Sequence, residues 1–166
     1  MKKILISALV LSSALAAQAQ IAPAQFSPGQ AVTGKFNRVG DVVNGTVFLD
    51  SNAINVAVGR LIFDWTPQGG VTFTGSSICA DLNSRLDGNG HTYTTSLTPE
   101  DNSGLSKAAK IIATYFTTAN TAQKAAGLQL AVWEALYDNG SSYNNGGGRF
   151  RAGTEFGDAM TAGTAA

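Results

Sequence analysis

Three features of the chain predict an α+β fold: segments rich in β-branched and aromatic residues recur through 31–97, glycine-bearing turns punctuate that stretch, and the apolar spacing then becomes helical. The expected architecture is an antiparallel β-sheet or small sandwich, with a packed helical hairpin beside it.

The strand reading covers Thr46 to Asp50, Ile54 to Trp65, Gly70 to Leu82 and His91 to Leu97. Asn44-Gly45, Pro67-Gln68-Gly69-Gly70 and Asp87-Gly88-Asn89-Gly90 supply residues that tolerate positive φ and so predict the connections. Within the second strand the alternation Ile54, Val56, Val58 changes phase to Leu61, Phe63, Trp65 beside Gly59. That change predicts a bulge.

Thr98-Pro99-Glu100-Asp101 has the form of a helix start, with proline in the first turn and acids favoured by the helix dipole. Leu105, Ala108, Ile112, Tyr115 and Phe116 then form one stripe, although Asn102-Ser103-Gly104 threatens to delay the helix. A second helix is expected from Asn120 or Thr121, carrying Leu128, Val132 and Leu136 along one side and ending at Asn139-Gly140. Beyond Ser141 the chain is rich in glycine and asparagine and then loses period, which predicts a flexible or incomplete segment over 141–166. The glycine run after Asn145 lacks the lysine of a phosphate loop. Asn44-Gly45-Thr46 and Asn139-Gly140-Ser141 match a glycosylation triplet but read as turns.

The amino terminus indicates the compartment. Lys2 and Lys3 precede an apolar run from Ile4 to Leu15, and Ala17-Gln18-Ala19 fits a small-residue cleavage site. These features predict a signal peptide over 1–19, an exposed segment over 20–30 and one domain over 31–140, delivered to the cell surface or secreted. The leader is too short for a membrane span, and no second apolar stretch of spanning length follows. With 44% of residues apolar, the chain has material for a core. Once Lys2 and Lys3 leave, nine basic residues face eleven acidic ones, a net charge near −2 without like-charged runs. That balance argues against nucleic acid or an anionic membrane as a partner.

Cys79 is the single cysteine, so an internal disulfide is excluded. A buried bystander, an intermolecular link or a reactive group remain open. One cysteine and one histidine, His91, do not make a closed zinc site, and no metal or cofactor is expected. His91 is a candidate proton shuttle for Cys79, set against its place at the exit of a hairpin where it needs no role. Trp133 and Tyr137 read as core contacts, and Asp81 and Glu134 do not form a matched catalytic pair.

The segment Gly127-Leu128-Gln129-Leu130-Ala131-Val132-Trp133-Glu134 resembles the glutamine motif of bacterial thioester domains, Thr-Gln-x-Ala-Ile-Trp. Gln129, Ala131 and Trp133 match; Val132 stands for isoleucine and Leu128 for threonine. Those domains carry an upstream cysteine on a strand, after an aromatic or aliphatic residue, and Ile78-Cys79-Ala80 occupies that place with Ala80 in place of valine. The likeness covers Ser77 to Asp138, and relatives usually continue further after the glutamine helix.

The resemblance implies an internal thioester between Cys79 and Gln129. A thiolate held against a carboxamide replaces a bimolecular encounter by an intramolecular one, with ammonia lost. The site must also stabilise an oxyanion and exclude water, for which Leu128, Val132 and Trp133 are near at hand. The implied partner is a protein or surface polymer bearing a lysine amine or, less readily, a hydroxyl. The reaction occurs once per molecule, so the implied protein is a covalent adhesin and not an enzyme. Two other readings stay open: a noncovalent extracellular module that keeps the fold without the bond, and a cysteine hydrolase or transferase using Cys79, His91 and an acid such as Asp81.

Overall fold

The computed structural model describes residues 29–83, 86, 89–94, 103–138 and 148–164. The leader, the 20–28 stretch and the Thr98-Pro99 helix start lie outside the described residues. One antiparallel sheet and three helices form the α+β fold, with five strands in a single sheet in place of a sandwich.

Strand β1 (Ala31–Leu49) runs antiparallel to β2 (Asn52–Pro67) along almost its whole length. On the far side of β2 lies β3 (Phe73–Ser77). The other edge of β1 takes β4 (Gly90–Thr94) at one end and β5 (Phe150–Ala152) at the other. The first hairpin turns at Asp50 and Ser51, with φ of 50° and 70°, the positive pair that a two-residue connection requires. Asn44-Gly45 is therefore not a turn: both residues sit inside β1, opposite Ala57 and Val56. Gly45 is required there because a Cβ would come within 2.7 Å of the Phe156 ring.

The phase change of β2 is present, since Val58 and Gly59 are both buried before alternation resumes at Leu61. The extra residues are on the partner strand, where the register jumps between Gly40 and Val43 opposite Gly59. A Cβ at position 59 would lie 2.5 Å from the Gly40 carbonyl, so the bulged backbone and the glycine fit each other.

Helix α1 (Ser103–Tyr115) and helix α2 (Ala122–Tyr137) form the expected hairpin. The Thr121 hydroxyl caps α2 by accepting from the Lys124 amide at 3.3 Å. Leu128 and Val132 of α2 pack with Ala108 and Ile112 of α1, with Phe116 just past its end, and with Ile78. The opposite side of α2 puts Ala126, Leu130 and Trp133 on Val58, Leu61, Phe63 and Trp65 of the sheet. Being between α1 and the sheet, α2 is buried continuously from Ala125 to Ala135. Arg60 ties α1 to the sheet: its Nη2 donates to the carbonyls of Phe116 and Ala119, each at 2.6 Å, and its guanidinium lies over the Phe116 ring.

The C-terminal segment departs from expectation. Residues 148–164 form β5, a 3₁₀ turn (Thr154–Phe156) and helix α3 (Gly157–Thr164), and Phe150, Phe156 and Ala159 belong to the main core. Asp138, at the end of α2, accepts from the amides of Arg149 and Phe150 and so guides the chain back to the sheet. Two widely spaced aromatics anchor this segment, a pattern without helical or strand period.

Candidate functional site

Strand β3 leaves the sheet at Ser77, so Ile78, Cys79, Ala80 and Asp81 continue without a ladder partner. Cys79 therefore lies two residues beyond a strand and not on one, because the expected strand from Gly70 to Leu82 contracts to Phe73–Ser77. The Ile78 and Cys79 side chains diverge: Ile78 enters the cluster between α1 and α2, and Cys79 the cluster between α2 and the sheet.

A buried segment off the ladder must find other hydrogen-bond partners. Gln129 provides them for Cys79. Its Oε1 accepts from the Cys79 amide at 2.8 Å, and its Nε2 donates to the Cys79 carbonyl at 2.7 Å. Gln129 is only 1% exposed, a polar side chain in the middle of an apolar helix. The two sequence-predicted residues, fifty positions apart, are thus joined by a two-point contact.

The thiol itself is buried and donates to the Asp81 carbonyl at 3.2 Å. Burial pushes the Cys79 thiol above its ordinary range; a backbone hydrogen bond at Asp81 opposes the rise and the Asp81 charge adds to it. It is held as the protonated thiol at neutral pH. Tyr137, read from the sequence as a core contact, is a member of the site: its hydroxyl oxygen accepts from the Leu82 amide at 3.0 Å. Burial raises the Tyr137 phenol, and the charges of Asp81 and Cys79 add to the rise. The signal available in the sequence was spacing alone, because Gln129, Trp133 and Tyr137 are four residues apart on α2. The Trp133 indole N–H, between them, is buried without a hydrogen-bond partner.

His91 is not brought to this site. It sits on β4 opposite Gly34, and the row Phe73, Trp65, Gly34, His91 crosses the whole sheet. Three strand spacings, roughly 14 Å, separate His91 from β3, and Cys79 is six residues further along the chain than Phe73. The shuttle role therefore has no geometric basis. Glu134 is buried at 5% exposure, and Asp81 uses its Oδ1 to accept from the Asn83 amide at 2.8 Å. Among the described residues no group of three His, Cys, Asp or Glu side chains gathers to hold a metal.

No family model, curated protein or solved structure matches this chain. What the site can do follows from its own geometry: a carbonyl polarised by a backbone N–H, a carboxamide nitrogen fixed on a carbonyl, and a thiol on the residue that makes both contacts.

Proposed function

We propose that this chain is an exported thioester-domain protein that attaches covalently to a surface nucleophile through a bond between Cys79 and Gln129. The observation that carries the reading is the two-point contact between the Gln129 carboxamide and the Cys79 backbone. The leader-like residues 1–19 support export, and no helix among the described residues is long and apolar enough to cross a membrane.

The chemistry balances without a further reactant. Cys79 Sγ attacks Gln129 Cδ, the Sγ–Cδ bond forms, the Cδ–Nε2 bond breaks, and the thiol proton leaves with Nε2 as ammonia. The Cys79 N–H on Oε1 is a ready donor for the oxyanion of the tetrahedral intermediate. A lysine amine of the target then attacks Cδ: the N–Cδ amide bond forms, the Sγ–Cδ bond breaks, and a proton from the amine passes to the Cys79 sulfur. Burial of Cys79 and Gln129 protects the acyl-sulfur bond from water until a target arrives.

A noncovalent module is the second reading. It is favoured by the protonated thiol, and by the fact that the same two hydrogen bonds satisfy a buried strand end without any reaction. A cysteine hydrolase is disfavoured by the position of His91 across the sheet.

Intact mass of the purified protein separates these. The thioester predicts a deficit of one ammonia, mapped to a peptide pair containing Cys79 and Gln129 and abolished by Cys79→Ala or by Gln129→Ala. Substitution at Asn44, Asn139 or Asn145, where Asn-Gly cyclisation also loses ammonia, should leave that deficit in place, as should blocking cyclisation at Gln20. Methylamine should add to Gln129 in the wild type alone and free the thiol. Full mass with a titratable thiol in freshly folded protein would leave the noncovalent module.

A further inference from the structure

The segment from Cys79 to Leu82 is held against α2 at both ends. Gln129 binds the backbone of Cys79, and Tyr137, eight residues further along the same helix, accepts from the amide of Leu82. Eight helical residues rise about 12 Å. Three residue steps of chain reach at most about 10 Å, so the segment bridges the two anchors with little slack. Between the anchors on the helix stands Trp133, which belongs to the same apolar cluster as Cys79. The same segment places the Asp81 carbonyl where the Cys79 thiol donates to it, and the Asp81 carboxylate closes the next turn on the Asn83 amide.

We propose that Tyr137 is the positioning residue of this site: its hydroxyl clamps the far end of the 79–82 segment and so fixes the direction of the thiol on the residue whose backbone the Gln129 carboxamide holds. The inference rests on the thioester reading for its purpose, but the clamp itself is a property of the segment. Gln129 fixes the Cys79 backbone, which leaves the side-chain torsion and the residues after it undetermined. The thiol's direction is tied to Asp81, and Asp81 is followed at once by the residue that Tyr137 holds. Without the phenol oxygen the Leu82 amide loses its acceptor, and the Asp81 carbonyl that orients the thiol is no longer fixed.

The test uses Tyr137→Phe in two backgrounds. In Gln129→Ala no thioester can form, so the thiol is always available. There, adding Tyr137→Phe should speed iodoacetamide alkylation of Cys79 roughly fivefold, the effect of losing one hydrogen bond of ordinary strength. It should also lower the midpoint of the alkylation pH profile as water reaches the thiol. In the otherwise wild-type chain, Tyr137→Phe should slow the appearance of the ammonia deficit after refolding. An alkylation profile that does not move refutes the clamp whatever the mass shows. A deficit that appears at the wild-type rate refutes the positioning role. If the parent chain never loses ammonia, the positioning role falls together with the proposed function, while a shifted alkylation profile would place the failure in the chemistry and not in the clamp. Tyr137→Met, similar in bulk and without the hydroxyl, replaces the Phe variant if that one does not fold.

Discussion

Gln129 spans the backbone of Cys79, accepting from its amide at 2.8 Å and donating to its carbonyl at 2.7 Å. A carboxamide can do both, and a carboxylate can do only the first. In a Cys79→Ala background, where the backbone contact persists and no bond forms, Gln129→Ala should cost about 2–4 kcal/mol by orphaning two buried groups. Gln129→Glu should be pH-dependent. Protonated, the introduced carboxyl has an O–H for the Cys79 carbonyl; ionised, it has an oxygen against an oxygen in a buried site. Its folded pKa is thereby raised above the unfolded value of about 4.3. Its stability should be near that of the carboxamide below that pH and fall as pH rises toward the folded pKa. The neighbouring ionisable side chains are Asp81 and Cys79 on the segment and Glu134 and Tyr137 on α2. Urea titrations at pH 4 and pH 7 measure the difference, and an equal gap at both would refute the pairing.

The buried thiol makes a second linkage. With Gln129→Ala keeping Cys79 free, its folded pKa is above the unfolded value of about 8.5. The folded state then retains a proton that the unfolded chain loses, so stability is whole below that value and declines as pH rises through it toward the folded pKa. Denaturation at pH 7 and pH 10 should show this decline, and Cys79→Ala in the same background should lessen it. Tyr137, also raised, accounts for part of what remains.

Gly45 and Phe156 test whether the C-terminal segment belongs to the core. Phe156 is fully buried and its ring covers the strand at Gly45. Phe156→Ala should cost about 3–5 kcal/mol. Gly45→Val should cost about 1–3 kcal/mol by crowding the ring. The two should couple, with Gly45→Val costing less once the ring is gone. Additive losses in a double-mutant cycle would count against the contact.

Arg149 reaches back to Asp50 in the first hairpin with two hydrogen bonds, at 2.7 and 2.6 Å. The hydrogen bond from Arg149 holds the Asp50 carboxyl below its usual range. Its contribution is present above the unfolded pKa, about 3.9, and is lost as pH falls through the folded one. Both groups lie at the surface, so Asp50→Asn should change stability little at neutral pH. It should flatten the acid limb of a thermal-unfolding series between pH 5 and pH 2, and an unaltered acid limb would show that the pair has no energetic role.

Local chemistry was legible wherever a residue's role is decided by its neighbours in sequence. Alternation exposed β2, the phase change at Gly59 announced a bulge, and the stripes of α1 and α2 identified the faces that meet around Ile78. Cys79 and Gln129 could be paired on paper only through the likeness of their two segments to the motifs of bacterial thioester domains. Tertiary structure decided the rest. Asn44-Gly45 has the composition of a turn, yet the approach of Phe156 from more than a hundred residues away requires that glycine inside a strand. Phe150 and Phe156 have no periodic company, so only the cavity they fill marks their segment as core. Where β3 leaves the sheet depends on which backbone groups Gln129 and Tyr137 can satisfy instead. His91 was a candidate only until the strand order put it at the opposite edge. Periodicity and residue type act over a few positions, whereas burial, strand order and the partner of a lone hydrogen-bonding group are set by chain segments that meet only in the folded protein.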